Sequence, residues 1–362
     1  MDESLLKRPQ LDSIQALRAV AALLVILFHT QSLALRVDSR PPFSGIFGEG
    51  GAVDVFFVLS GFIMTWVHAA DWGKPHRAAN YLFNRVRRIY PSVWIITFLA
   101  IAVYALGFGG AEKAAKLTLW NAVATLLLLP QDEVSLVNVT WTLKYEIFFY
   151  LVFMLTILDR RWGFIALGLW QAAIVVVALA HVPYQDLWFG FYLRPICLAF
   201  GIGVACAQIL MGKRRVTFGA PAVQWGVLLA GIFVFVVGMV YESHSAGHAA
   251  KLPDVVYGLS AGAILTSLVL LESAGRIRVH GWLVKMGGAS YAIYLVHFAI
   301  ISLLVSVAAK IQRVPLNDVE CLLFVATAIA AGAYFDQFVD QPIQARLVRM
   351  KQRALSPSPV NA

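Results

Sequence analysis

Four ionisable side chains lie within long apolar segments of this sequence: Arg18, His29, Glu146 and His297. An ionisable group at membrane depth costs several kcal/mol, so it is retained mainly where it has a function. A histidine beside a carboxylate suits general-base catalysis, because the carboxylate fixes the ring tautomer and raises the basicity of the imidazole. These residue types therefore indicate proton-transfer chemistry, provided that the helices carrying them bring them together.

Arg18 and His29 belong to the first apolar segment and lie eleven residues apart. On an α-helix this spacing places both side chains on one face, about 16 Å apart along the axis. Asp12 and Gln15 are typical of a capping box that begins the helix. The alternatives are that Arg18 is a snorkelling anchor at the membrane edge and that His29 is a structural histidine bonded to a backbone carbonyl.

Glu146 follows Trp141 in a segment that we expect to enter the membrane from the side opposite the N-terminus. Counted along the two helices, Glu146 and His29 would both lie about 8 Å below that edge of an apolar core roughly 30 Å thick. The shared depth predicts that Glu146 orients His29. The alternative is a structural ion pair between Glu146 and Lys144.

Other side chains complete the predicted site. Asp54 follows a glycine-rich turn and either assists His29 or caps the second helix. Gly61 lacks a side chain and so permits close approach of another helix or of a substrate. His297 falls near mid-membrane, and the sequence assigns it no task. The residues that we expect around a cavity are Ser60, Gly61, Trp141, Tyr145, Tyr291 and His297.

Three arginines, Arg85, Arg87 and Arg88, cluster where the third apolar segment begins. They either set the topology or form a phosphate clamp, since arginine binds phosphate in a bidentate manner. No metal site is expected, because His244 and His248 lie in a Ser/Gly/Ala-rich stretch without a third ligand.

The composition explains where these residues must lie. The chain has 362 residues, of which 60% are hydrophobic and 14% charged, whereas soluble domains have about 25% charged residues. This composition predicts an all-α, polytopic membrane helix bundle. The ten predicted spans run approximately over 14–35, 51–70, 91–109, 141–158, 162–181, 191–210, 222–241, 254–272, 287–309 and 317–336.

Basic residues predict the orientation of the bundle. They are concentrated in the segments Lys74–Arg88, Asp159–Arg161, Lys213–Arg215, Arg276–Lys285 and Arg346–Arg353. With ten spans, all five lie on the side of Lys7 and Arg8, which the positive-inside rule makes cytoplasmic. A full span at 117–130 would break this agreement, so we interpret that run as a short re-entrant or surface helix on the outer side.

The orientation also divides the chain into regions. Both termini are predicted to be cytoplasmic, with the loops 36–50, 110–140, 242–253 and 310–316 outside. Residues 1–342 form one membrane domain, and residues 343–362 a basic and then disordered cytoplasmic tail. The net charge of +9 is explained by loops at the lipid bilayer, so no nucleic-acid partner is expected.

An ordered set of motifs resembles a known family. It comprises Arg18 with His29, the run Gly51-Ala-Val-Asp54-Val-Phe-Phe-Val-Leu-Ser-Gly-Phe, Arg85…Arg88-Ile-Tyr-Pro, Trp141-Thr-Leu…Glu146, and Ser290-Tyr…Tyr-Leu-Val-His297. From about Leu11 to Pro342 the chain is similar to acyltransferase family 3, the bacterial membrane O-acyltransferases, and most of all to exopolysaccharide acetyltransferases of the ExoZ type. One departure is Asp340-Gln-Pro342, where the family usually has Glu before Pro.

The resemblance implies an inner-membrane O-acetyltransferase with acetyl-CoA as donor and a polysaccharide, or its lipid-linked oligosaccharide precursor, as acceptor. Arg85, Arg87 and Arg88 would hold the nucleotide, and the pantetheine arm would pass Arg18. His29 would take the proton from the sugar hydroxyl, oriented by Glu146 and Asp54, or would form an acetyl-histidine intermediate. Any requirement for a partner protein is left open.

A secondary transporter or flippase of a glycan or small molecule is the alternative function, because transporters also carry intramembrane charges. Transporters often contain inverted repeats and paired broken helices. The sequence shows neither pattern, which favours the transferase.

Overall fold

The computed structural model describes residues 11–37, 40–48, 50–107, 110–131, 134–184, 187, 189–212, 221–244, 254–311 and 316–355. Over these ranges the regular elements are helices, with no strand. The α-helices are α1 (Asp12–Ala34), α2 (Ala52–His68), α3 (Ala78–Ala105), α4 (Gly110–Ala115), α5 (Leu119–Leu127), α6 (Trp141–Leu158), α7 (Arg160–Leu179), α8 (Leu198–Met211), α9 (Pro221–His244), α10 (Asp254–Ser273), α11 (Gly281–Ile311), α12 (Asp318–Phe335) and α13 (Gln341–Leu355).

The predicted membrane bundle is confirmed. Nine helical stretches among the described residues are long and apolar enough to cross a membrane; a further stretch, Pro195–Met211, is apolar but shorter. The boundaries differ most from the prediction at the starts of α3 and α8. Helix α3 begins at Ala78 rather than near residue 91, because its polar, basic first turns continue the helix beyond the apolar segment. Helix α8 begins at Leu198, after two short 3-10 turns.

The short helix α5 has the re-entrant form that the sequence indicated. The Trp94 indole and the Tyr90 hydroxyl, halfway along α3, donate hydrogen bonds to the last carbonyls of α5, those of Leu126 and Leu127. The chain then returns, and the Tyr104 hydroxyl near the end of α3 donates to the Leu136 carbonyl. Helix α5 therefore runs along α3 and turns back rather than crossing.

Glycines permit the closest helix contacts. A Cβ atom on Gly61 of α2 would lie 2.1 Å from the Phe200 carbonyl oxygen of α8, and one on Gly203 would lie 2.0 Å from the Val58 carbonyl oxygen. Gly287 of α11 approaches the Gln15 carbonyl of α1 in the same way, at 2.0 Å. Small residues at such crossings are how membrane helices gain packing energy without a hydrophobic driving force.

The start of α1 is capped differently from the prediction. The expected capping box of Asp12 and Gln15 is wrong, since α1 has no side-chain cap of its own. Instead the Glu272 carboxylate, at the end of α10, accepts hydrogen bonds from the backbone N–H groups of Asp12 and Ser13 at 2.8 and 3.0 Å. A distant residue thus satisfies the free amides of the first turn.

One end of the bundle is rich in basic residues, and we call it the basic end. It comprises the first residues of α1, the α2–α3 and α6–α7 connections, the start of α3 and the end of α10. At this end α13 packs on α3, with the Gln344 amide donating to the Arg87 carbonyl at 2.6 Å. The basic part of the predicted tail is therefore helical as far as Leu355. The predicted disorder beyond it, at 356–362, lies outside the described residues.

Topology gives the first testable prediction. Ala115→Cys, in α4, should react with a membrane-impermeant thiol reagent in intact cells, whereas Ala354→Cys, in α13, should react only after lysis. The reason is that basic loops are retained on the cytoplasmic side. Both alanines are exposed and helical. Of the three native cysteines, Cys197 and Cys321 are buried and Cys206 is half-buried within α8, so the unsubstituted protein serves as the labelling background. Labelling of Ala354→Cys in intact cells would contradict the orientation.

Candidate active site

Helices α1, α2, α3, α6 and α11 enclose a cavity of about 110 Å³. Its wall on α2 runs from Val53 to Met64, a length of about 16 Å at the helical rise, so the cavity is elongated along the bundle. The polar side chains that line it are Arg18, Ser60, Arg85, Arg88, Thr142, Glu146, Tyr150, Ser290, Tyr291 and Tyr294.

One end of the cavity is cationic. Arg18, Arg85 and Arg88 all line it, and Arg18 lies close enough to Arg88 to interact electrostatically. None of the three has a carboxylate within 4.0 Å among the described residues. The guanidinium groups of Arg85 and Arg88 lie over the rings of Tyr150 and Tyr291, each at 5.6 Å. Cations at membrane depth usually pair with carboxylates, so this set is suited to an anionic ligand.

Two hydrogen-bonding details define this cationic end. The Arg18 Nε donates to the Ser290 hydroxyl at 3.1 Å. The Arg85 Nε is buried without a hydrogen-bond partner in the described structure. A buried polar donor without a partner costs about 1–3 kcal/mol, and a phosphate oxygen is the kind of acceptor that would remove this cost.

Arg87 does not join this set. Its guanidinium donates hydrogen bonds to the side-chain oxygens of Asn84 and Gln344, both at 3.1 Å. The predicted clamp of three arginines is therefore divided. Arg85 and Arg88 are separated by three positions and face the cavity, whereas Arg87 lies on another side of α3 and contacts α13.

Glu146 lies in the same cavity, and it does not contact His29. Its carboxylate accepts hydrogen bonds from the Ser60 hydroxyl, at 3.2 Å, and from the Tyr150 hydroxyl one turn away. The prediction that Glu146 orients His29 is wrong, because the carboxylate is bonded to Ser60 of α2 and to Tyr150 of α6. The alternative ion pair with Lys144 is also absent from the described structure, since residues two apart on a helix do not face each other.

His29 lies against His297 instead. The two imidazole rings are 5.2 Å apart, and the ring of Phe298 lies 5.1 Å from that of His29. His297 is fully buried; its Nδ1 donates to the Tyr294 carbonyl at 2.6 Å, and its Nε2 has no partner in the described residues. The tautomer of His297 is thereby fixed with the proton on Nδ1.

Tyr294 connects the histidine pair with the cavity. Its ring lies 5.6 Å from that of His297, and its side chain is part of the cavity wall. Its hydroxyl makes a 2.9 Å hydrogen bond with the Thr142 hydroxyl. The pair of His29 and His297 therefore begins directly behind the wall that Tyr294 forms, away from the cationic end.

Asp54 caps α2 and does not line the cavity. Its carboxylate accepts a 3.2 Å hydrogen bond from the Gly51 N–H, and the residue is only 2% exposed. The prediction that Asp54 assists His29 is wrong, because the bond to Gly51 fixes the carboxylate at the helix start. The capping interpretation is confirmed.

Among the residues expected around the cavity, Ser60 and Tyr291 line it and the others do not. Gly61 faces the backbone of α8. Tyr145 stacks on Phe191 with 4.4 Å between ring centroids, and its hydroxyl accepts a 3.1 Å hydrogen bond from Arg194. Trp141 packs against Tyr145. These two aromatic side chains stabilise the packing of α6 rather than the site.

Sequence reasoning missed Tyr150, Ser290 and Tyr294, which all line the cavity. The signal was available in helical spacing. Tyr150 is one turn after Glu146, and Tyr294 is one turn after Ser290, so each pair lies on one helix face. Tyrosine and serine are neutral at ordinary pH, so they give no charge signal within an apolar segment.

The arrangement separates two chemical tasks. The guanidinium groups at one end can hold an anionic ligand, and Glu146 balances part of their charge from mid-cavity. The imidazoles behind Tyr294 can accept and donate protons. A long ligand with an anionic head and a reactive tail would place its two ends in these two regions.

Comparisons with known proteins agree that the chain is similar to acyltransferases. Residues 11–335 match the family described as "Acyltransferase domain". The exopolysaccharide production protein ExoZ of Rhizobium meliloti is 27% identical over 303 aligned residues, which cover 81% of this chain and 89% of that protein.

Two further relatives are similar over most of this chain. The acyltransferase MdmB of Streptomyces mycarofaciens is 26% identical, covering 97% of this chain and 96% of that protein. The peptidoglycan O-acetyltransferase OatA of Listeria monocytogenes is 24% identical over 93% of this chain and 56% of its own length. No solved structure matches the chain significantly.

Proposed function

The chain belongs to the acyltransferase family that its residues 11–335 match, and from this premise we propose that it moves an acetyl group from acetyl-CoA to a sugar hydroxyl. The acceptor is a cell-surface or exported polysaccharide, or its lipid-linked precursor. The observation that carries the proposal is an elongated cavity between helices. Guanidinium groups without a carboxylate partner among the described residues lie at one end, and a histidine pair lies behind the other.

The donor is argued from the cationic end. Acetyl-CoA carries phosphates at one end and a thioester at the other, and arginine is the side chain best suited to phosphate. Arg85 and Arg88 would bind the phosphates near the basic end. Arg18 would bind the pantetheine arm or the pyrophosphate of the donor. The pantetheine arm would pass Glu146 and Ser60 and bring the thioester towards Tyr294.

The chemical step is assigned to His29. Its imidazole takes the proton from the sugar hydroxyl as the oxygen attacks the thioester carbonyl. The acetyl ester forms, the carbon–sulfur bond breaks, and the CoA thiolate takes up a proton. The His297 ring lies 5.2 Å from that of His29, and its Nδ1 is held by the Tyr294 carbonyl, so we assign His297 the role of packing the His29 ring in position. An acetylated His29 as an intermediate is the alternative route.

The acceptor and the location rest on different observations. Two relatives have names that refer to exopolysaccharide production and to peptidoglycan O-acetylation, which supports a glycan acceptor. The basic end is assigned to the cytoplasm by the positive-inside rule. The donor site would then open to the cytoplasm, the compartment that contains acetyl-CoA. In this proposal the protein spans the bacterial inner membrane with both termini cytoplasmic.

The proposal is tested with purified protein and acetyl-CoA labelled in the acetyl group. We expect release of free CoA thiol and transfer of label to de-O-acetylated polysaccharide as an alkali-labile ester. A folded protein that neither hydrolyses nor transfers from acetyl-CoA would contradict the proposed donor. Transport of a glycan by reconstituted protein, without ester formation, would favour the flippase.

The divided arginine cluster gives the second prediction. Arg88→Gln and Arg85→Gln should each raise the apparent KM for acetyl-CoA about 10-fold or more, because a charge-assisted hydrogen bond contributes roughly 1.5–3 kcal/mol to binding. Arg87→Gln is the matched control, since Arg87 contacts Asn84 and Gln344 rather than the cavity. An equal rise in all three variants would show that the effect is not specific to the cavity.

A further inference from the structure

A second depression lies on the outside of the bundle, away from the cavity. It is a groove of about 590 Å³ between α7 and α8, which we call the α7–α8 groove. Its lining residues include Trp72, Arg160, Gly168, Gln171, Gly201 and Gln208. It shares no lining residue with the cavity.

We propose that the α7–α8 groove binds a glycerophospholipid with an anionic headgroup, taken from the leaflet at the basic end. The headgroup phosphate lies at Arg160, and an acyl chain lies along the groove. This binding site is independent of the proposed transferase activity.

The order of residues along the two helices matches the order of groups in such a lipid. Arg160 is the first residue of α7, and Gln208 is three residues before the end of α8, so both lie near the basic end. Gly168 is about 12 Å further along α7. A phospholipid places its charge at the membrane surface, its polar ester groups just below and its chain beneath them. The groove presents a cation, an amide and then glycine in that sequence; the deeper Gln171 amide donates a 3.4 Å hydrogen bond to the Cys197 carbonyl of the protein.

Charge complementarity supports an anionic headgroup. The Arg160 guanidinium lies 5.4 Å from the centroid of the Trp72 ring, and no carboxylate lies within 4.0 Å of it among the described residues. The neighbouring Asp159 carboxylate is engaged elsewhere, because it caps α7 by accepting from the Trp162 N–H at 2.9 Å. Basic pockets between membrane helices bind anionic lipid headgroups in this manner.

The wall of the groove favours an acyl chain as the occupant. A Cβ atom on Gly168 would meet nothing within 4 Å, so the glycine leaves open space beside α7. Within a bilayer an opening of this kind is filled by lipid or by protein. Arg160 at its mouth matches a phosphate, and the apolar lining below, which includes Phe164 and Leu167, matches a hydrocarbon chain.

The test measures binding of phosphatidylglycerol, with zwitterionic phosphatidylcholine for comparison, to the delipidated full chain by native mass spectrometry. Gly168→Leu should abolish retention of the lipid, because the new side chain occupies the groove without a clash. Arg160→Gln should weaken phosphatidylglycerol binding about 5-fold, which corresponds to one interfacial basic residue, and Arg160→Lys should restore most of the affinity.

Two matched controls separate the groove from the general surface. Gly226→Leu, in α9, adds the same side chain at a glycine that also has nothing within 4 Å. Arg161→Gln removes a charge next to Arg160 that does not line the groove. Both should bind phosphatidylglycerol as the wild type does. Equal binding by all variants, or equal affinity for both lipids, would overturn the proposal. A dimer that Gly168→Leu dissociates would overturn it in favour of a second copy of the chain.

Discussion

Replacing His29 with alanine should lower kcat by about 100- to 10,000-fold, the range that general-base catalysis contributes. The apparent KM for acetyl-CoA should stay near the wild-type value, because the cationic end of the cavity is formed by other side chains. His29 contacts Phe28, His297 and Phe298 by its ring, so its removal should leave the bundle folded. The measurement is steady-state acetyl transfer by protein that elutes as a single species in detergent.

His280→Ala is the matched control for this variant. His280 is exposed in the connection between α10 and α11, and its loss should leave transfer unchanged. Near-normal acetylation by His29→Ala would remove the catalytic assignment and leave His29 as a packed histidine. The donor site at Arg85 and Arg88 is tested independently, by the glutamine variants of those arginines.

The structure and the sequence predict different effects for a substitution of Glu146. Because its carboxylate bonds to Ser60 and Tyr150 and not to His29, Glu146→Gln should act mainly on the constant for acetyl-CoA and less on kcat. If Glu146 acted through His29, the two variants would affect kcat together and the double variant would be little worse than His29→Ala alone. A split between the two kinetic parameters is the result expected from the geometry.

Replacing Gly203 with leucine should prevent stable folding. A Cβ atom there would lie 2.0 Å from the Val58 carbonyl oxygen, and no rotamer of a side chain relieves a clash that begins at Cβ. Helices α2 and α8 would have to separate, which also moves Ser60 at the cavity wall. We expect a destabilisation of at least about 3 kcal/mol, the upper end of the usual range for overpacking. Melting temperature and recovery of a single species in detergent measure it.

Gly288→Leu in α11 is the control for this change, because a Cβ atom at Gly288 meets nothing within 4 Å. It adds the same side chain to another membrane helix, so it isolates the crossing from a general effect of leucine on insertion. A Gly203→Leu protein as stable as Gly288→Leu would show that α2 and α8 can separate at little cost.

The sequence by itself determined the class of fold and the family. Apolar segments of about 20 residues can satisfy their backbone only as helices within a bilayer, so their number and order followed from composition and length. The sequence grouped Arg85, Arg87 and Arg88 into one clamp, and only the structure showed that Arg87 contacts Asn84 and Gln344 instead of the cavity. The short run ending at Pro130 was interpreted as a helix that does not cross, and the contacts of α5 with α3 agree with this interpretation.

Only the tertiary structure decided which side chains meet. Counting residues along each helix gives the depth of a side chain in the membrane, and by this count Glu146 and His29 lie at the same depth. Contact also depends on the direction that each helix face takes after packing, which close approaches such as Gly61 to Phe200 and Gly287 to Gln15 determine. Those contacts are between residues far apart in sequence, and no local pattern encodes them. As a result Glu146 bonds to Ser60 and Tyr150, and His29 lies against His297.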